Sequence, residues 1–164
     1  MAVNGMTIII YAPRSPGNFA AELKEKIHWS RAMKGLHIVA DLYRCPSGEC
    51  LISATALRLL CTQACQSAGL SVLGEHFYQF NGVDAVQVGG ATGAVVLAES
   101  HLAVHTWPER GEVSLDIYVC NVTADNSRKA EKLYQLMIEA LTPADIVVER
   151  LWRGKELPVT AIAA

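Results

Sequence analysis

Three short segments, Ala94–Ala98, Leu102–Thr106 and Glu112–Cys120, follow one another with only tight breaks between them. The third alternates Val113, Leu115, Ile117 and Val119 with polar positions, the period of a half-buried strand. Pro108-Glu109-Arg110-Gly111 supplies the turn before it. Strands joined this closely cannot run parallel, because a parallel pair needs a crossover of about a dozen residues or more. The stretch therefore commits the chain to an antiparallel sheet.

The remaining segments add helices to that sheet. His37–Tyr43 reads as a strand, and Leu70–Phe80 as another, interrupted by Gly74. Ser53 is placed to cap a helix over Ala54–Ser67 that Gly69 closes. Gly82–Gly93 reads as a glycine-rich connection. Asp125 or Asn126 caps a helix over Ser127–Leu141, with Ala130, Leu133, Met137 and Leu141 on one face. Asp145–Trp152 is the last strand. Ahead of all these, Met6–Ala12 reads as a strand and the stretch from Asn18 to about Met33 as a helix. Strands outnumber helices, so the expected class is α+β: an antiparallel β-sheet with helices packed on one face.

Composition narrows the function classes. Of 164 residues, 51% are hydrophobic and 18% charged, which excludes a disordered chain and suits a packed or oligomeric one. Net charge is −2 without a basic stripe, so no nucleic-acid partner is expected. The Met6–Ala12 run is too short to span a bilayer and lacks a basic flank, so neither a membrane partner nor a secretion signal is expected. Five cysteines in such a chain read as reduced thiols in the cytoplasm. Cys61 and Cys65 lack a second pair at zinc spacing and read as small buried side chains. Cys45 and Cys50 flank a turn. No metal is expected.

Chemistry concentrates between Glu99 and Cys120. Glu99-Ser100-His101, a second imidazole at His105 and a thiol at Cys120 are the parts of covalent or acyl-shift chemistry. Gly89-Gly90-Ala91-Thr92-Gly93 is not a phosphate loop, because it lacks Gly-Lys-Ser/Thr and leads into a strand. Ser100 has no flanking glycines, so it is not a lipase-type nucleophile elbow. His37 and His101 read as structural, or as supporting the residues that contact substrate. Asp116 reads as facing solvent or bonding a turn, with no role of its own.

Glu99-Ser100-His101, His105-Thr106-Trp107-Pro108-Glu109, Asp116 and Cys120 together resemble the prokaryotic S-adenosylmethionine decarboxylase proenzymes, over roughly Gly35–Val148. That resemblance implies a pyruvoyl cofactor made from Ser100, with neither pyridoxal phosphate nor metal. Ser100 would attack the Glu99 carbonyl in an N-to-O acyl shift, and elimination would cut the chain between residues 99 and 100. His105 is similar to the family's processing base, and Thr92 falls where a serine usually assists it. The ketone would form a Schiff base with the substrate amine, and Cys120 resembles the proton donor after carbon dioxide leaves. Phe80 and Trp107 resemble residues that stack on adenine, although each also reads as a core aromatic. Glu109 resembles the carboxylate that accepts bonds from the ribose hydroxyls.

The implied protein is a homodimer of processed protomers that makes decarboxylated S-adenosylmethionine, the aminopropyl donor for spermidine. Its expected organisation is an N-terminal extension over 1–34 (strand plus helix), a decarboxylase domain over 35–155 and a flexible tail over 156–164. Three departures from the family's pattern stand out: a longer segment between Phe80 and Thr92, Tyr78 where a histidine is common, and the extension, of which the first two are expected near the substrate pocket. Arginine or ornithine is the alternative substrate within the same chemistry. An unprocessed, non-catalytic partner subunit is the alternative outside it.

Overall fold

The computed structural model describes residues 34–82, 88–122 and 124–154. The expected strand Met6–Ala12 and helix Asn18–Met33, the middle of the glycine-rich connection and the tail over 156–164 lie outside the described residues. Within them the strands are β1 (Gly35–Tyr43), β2 (Val72–Gln79), β3 (Ala91–Leu97), β4 (Ser100–Trp107), β5 (Glu112–Cys120) and β6 (Asp145–Arg153). They form one sheet in the order β2-β3-β4-β5-β1-β6, with every neighbouring pair antiparallel. The helices are α1 (Glu49–Ile52), α2 (Ala54–Ser67) and α3 (Ser127–Leu141).

Helix ends follow local chemistry. Ser53 Oγ accepts the Ala56 amide at 3.3 Å and starts α2. Gly69 at φ +80° ends it, with its own amide donating to Gln66 O and the Leu70 amide to Cys65 O. At α3 the cap bond comes from Asp125, whose Oδ1 accepts the Ser127 amide at 2.9 Å, whereas Asn126 makes no side-chain cap. Leu57, Cys61 and Cys65 of α2 and Leu133, Met137 and Leu141 of α3 are buried against one face of the sheet. Each such aliphatic side chain contributes about 1.5–3 kcal/mol by leaving water. Burial also raises both helical thiols, Cys65 to about 12 and Cys61 further, so they are small apolar core residues at neutral pH.

Two boundaries differ from expectation. Ala91-Thr92-Gly93 belongs to β3 rather than to the connection, paired with Gln79, Tyr78 and Phe77. Gly93 is tolerated inside a strand because the Phe77 ring lies where a β-carbon would sit. β4 begins at Ser100 instead of Leu102, which shrinks the β3–β4 connection to Ala98 and Glu99. β2 is irregular between Val72 and Gly74, where the interruption was expected.

Helix packing covers one face only. On the other, Val96, Val147, Leu151 and Tyr78 remain at least half exposed, and Trp107 is exposed beside them. No helix among the described residues is long and apolar enough to cross a membrane.

Candidate active site

Strand β4 carries the expected site residues at its two ends. At its start, Leu97 pairs with Ser100 across the Ala98-Glu99 turn. Glu99 sits at φ +59°, a left-handed conformation that costs a non-glycine residue about 1–3 kcal/mol. The strained residue is the one whose carbonyl the resemblance makes the point of attack. Ser100 is 9% exposed, and its Oγ accepts the Cys120 amide at 3.2 Å, so nucleophile and thiol residue are already joined. Asn126 Nδ2 donates to the Cys120 carbonyl at 2.9 Å, and Asn121 Oδ1 accepts the Asn126 amide at 2.9 Å. These bonds fix the end of β5 against the start of α3.

Tyr118 completes this end. Its ring packs over Gly35, with the hydroxyl 2.9 Å from where a β-carbon on that glycine would sit. Burial, and then the Cys120 thiol beside it, push the phenol above its ordinary value, while Arg153 pulls the other way. The Arg153 guanidinium carbon lies 4.7 Å from the ring centroid.

At the far end of β4 are His105 and Trp107. Thr92 and His105 are cross-strand partners, and Thr92 Oγ1 lies 2.6 Å from His105 Nδ1. When Nδ1 donates to that hydroxyl, Nε2 keeps its lone pair free to take a proton. Phe80, Trp107, Glu109, His105, Gly89 and Gly90 line a cavity of about 310 Å³. Phe80 is 48% and Trp107 40% exposed, so neither is a core aromatic. All three expected substrate side chains thus share one cavity with the expected base.

Gln79 was not singled out in the sequence, yet it builds the cavity wall. Its Nε2 donates to Gly89 O at 2.9 Å and Gly90 O at 3.0 Å, while its Oε1 accepts the Ala54 amide at 2.7 Å. Gly90 lies so close to the Thr106 carbonyl that a β-carbon there would collide with it. Nothing local marks a strand-end glutamine for this task, because its partners lie 10, 11 and 25 positions away.

The two ends do not meet within one chain. Ser100 shares strand parity with the buried Leu102, Val104 and Thr106, whereas His105 shares parity with Trp107 on the open face. Five residues of strand put them about 16 Å apart. The sequence spacing between Ser100 and His105 therefore does not bring the expected base to the expected nucleophile.

A third group was misread from sequence. Asp116 bonds neither a turn nor solvent alone: His37 Nε2 and His101 Nε2 donate to its Oδ1 at 2.8 and 3.2 Å. The strands of His37 and His101 flank that of Asp116, and both histidines lie opposite Tyr118.

A family model described as S-adenosylmethionine decarboxylase matches residues 36–154. The S-adenosylmethionine decarboxylase proenzyme of Picrophilus torridus is 36% identical over 123 residues, which are 75% of this chain and 86% of that protein. Its counterpart in Aquifex aeolicus is 38% identical over 112 residues, covering 68% and 75% of the two chains. The crystal structure of the Aquifex aeolicus adenosylmethionine decarboxylase matches with a TM-score of 0.64 at 35% identity, covering 75% of this chain and 92% of that one. Both ends of β4 and the sheet around them fall inside these matches, and the chain belongs to the S-adenosylmethionine decarboxylase family.

Proposed function

We propose that this chain is made as a proenzyme, cuts itself between Glu99 and Ser100, and decarboxylates S-adenosylmethionine in a centre completed by a second copy. Its being a carboxy-lyase of that substrate follows from the family. One observation carries the rest: the nucleophile end and the base-and-cavity end of β4 lie on opposite faces, too far apart to act on each other in one protomer.

A face-to-face dimer removes the separation along the strand. The uncovered face, with Val96, Val147 and Leu151 exposed, is the apolar surface a second sheet would bury. A two-fold axis between the sheets, perpendicular to the strands, lays the start of one β4 against the end of the other. The partner's His105 then serves the Glu99–Ser100 turn, and the cavity of the partner subunit faces Cys120.

The residues fit formation of the pyruvoyl group. Ser100 Oγ gives up its proton and bonds to the strained Glu99 carbonyl carbon, turning the peptide into an ester and freeing the serine nitrogen. A base then removes the α-proton, and the carbon–oxygen bond breaks to leave fragment 1–99 with a carboxylate end and dehydroalanine at residue 100, which takes up water and releases ammonia to become the pyruvoyl group. His105, with Thr92 on its Nδ1, supplies that base. Once formed, the pyruvoyl group provides the electron sink that lets the substrate carboxylate leave. Cys120 holds the proton that replaces carbon dioxide, with the Tyr118 phenol beside it. Phe80 and Trp107 stack on adenine, and Glu109 accepts bonds from the ribose. Arginine and ornithine offer neither adenine nor ribose to this cavity. A reducing, cytoplasmic setting belongs to the proposal, since all five cysteines are free thiols.

Complementation tests the composite centre. His105→Ala alone should stay uncut, and Ser100→Ala alone should stay uncut. Co-expressed with distinct tags, the two should restore cutting of the His105→Ala chain only, because it keeps Ser100 and borrows the partner's His105. An uncut His105→Ala chain in the mixed dimer would sink the composite centre.

A further inference from the structure

The open face of the sheet holds a cluster that decarboxylation does not use. His37 comes from β1, His101 from β4 and Asp116 from β5, three strands side by side. Both imidazole Nε2 atoms converge on one carboxylate oxygen, at 2.8 and 3.2 Å, and one ligand atom from each residue lies within 4.8 Å of the other two. The side chains are 19%, 44% and 41% exposed on a single protomer, on the face that the proposed dimer would cover. Asp41 and Glu149 join Asp116 around a cavity of about 320 Å³ on the same face, and their negative field favours a cation.

We propose that His37, His101 and Asp116 form a binding site for a divalent transition-metal ion of the zinc type. Two imidazoles and one carboxylate are a borderline-soft donor set, which suits zinc, cobalt or nickel better than magnesium or calcium. Three protein ligands leave coordination positions open to water. The imidazoles bind as neutral ligands through Nε2, each moving its ring proton to Nδ1, so the ion replaces two N–H···O bonds to Asp116.

The positions of the ligands in the chain give the ion a task. His37 lies before the Glu99–Ser100 bond, whereas His101 and Asp116 lie after it. A bound ion therefore clips the two fragments together once the chain is cut, and holds β4 one residue from Ser100. This clipping role rests on the proposed cleavage; the binding site does not.

Binding is tested on the uncut Ser100→Ala protein, so a failure of processing or activity is read separately. Titration with cobalt(II) alone should saturate at one equivalent per chain with visible bands of a nitrogen and oxygen site, and zinc should displace it. Asp116→Asn and His37→Gln should each weaken cobalt binding by more than about tenfold, the least that even outer-shell changes cost a metal site. In the cut wild-type protein, zinc should raise the midpoint at which urea separates fragments 1–99 and 100–164. Absence of saturable cobalt binding, or unchanged binding in both variants, would overturn the site. So would a thiolate-to-cobalt charge-transfer band, which would assign the metal to cysteines. An unmoved urea midpoint with intact binding would remove the clipping role alone.

Discussion

The two ends of β4 make different kinds of site from similar means. The Ser100 end is closed and strained: Ser100 is 9% and Cys120 4% exposed, and Glu99 is held at positive φ. The Trp107 end is open, an aromatic-walled cavity with a threonine-bonded histidine on its rim. A polar side chain far from the chemistry fixes each one, Asn126 through the Cys120 carbonyl and Gln79 through the carbonyls of Gly89 and Gly90. In the proposed function the closed end breaks a bond and the open end holds a ligand.

The sharpest way to break this division is at the closed end. Ser100→Ala should abolish cutting altogether, since Ser100 carries the hydroxyl that the proposed acyl shift needs. Denaturing gels should show one 164-residue chain in place of fragments 1–99 and 100–164. Fragments of that size from the variant would move the nucleophile elsewhere. Cys120→Ala should behave differently, cutting normally and then turning over about 10² to 10⁴ times more slowly, the usual contribution of a placed proton donor. Normal turnover of the cut variant would leave the closed end with processing as its only task.

How much of this contrast was legible in the sequence depends on the range of the interactions. Alternation in Glu112–Cys120, the Ser53 cap and the Gly69 stop are local, and each element formed where its residues predict. The separation of Ser100 from His105 was also implicit, because an odd interval along a strand puts two side chains on opposite faces. Gln79 was not legible because its partners lie at a helix start and in the connection before β3, and the His37–His101–Asp116 group was not because only the sheet order brings its three strands together. The β3 start at Ala91 was hidden by glycines, which mark a loop by frequency but here serve close approach.

At the open end the expected effects are smaller. Trp107→Ala removes one stacking wall, worth about 0.5–1.5 kcal/mol, and should raise KM up to about tenfold while cutting proceeds. Thr92→Val keeps the branched shape but deletes the hydroxyl on His105 Nδ1. One neutral hydrogen bond is worth about 0.5–1.5 kcal/mol, so cutting should slow by about tenfold at most, with KM unchanged after cutting is complete. Equal effects of both variants on cutting and on KM would merge the roles assigned to base and cavity.

The smallest effect concerns the turn that steadies the closed end. Bonds from the Ser127 hydroxyl and then the Ser127 amide hold the Asp125 carboxyl below its ordinary range, and they favour the charged form. A carboxyl whose value is lowered by folding stabilises the fold above its unfolded value of about 3.9 and loses that contribution as pH falls through the folded value. Asp125→Ala should therefore lower the thermal midpoint slightly at pH 7, and the two proteins should converge in acid. Because Asp125 is fully exposed and Asn126 still bonds the Cys120 carbonyl in the variant, the cutting rate should not change. A change in cutting with an unchanged midpoint would mean that the cap tunes the strained turn instead of merely starting α3.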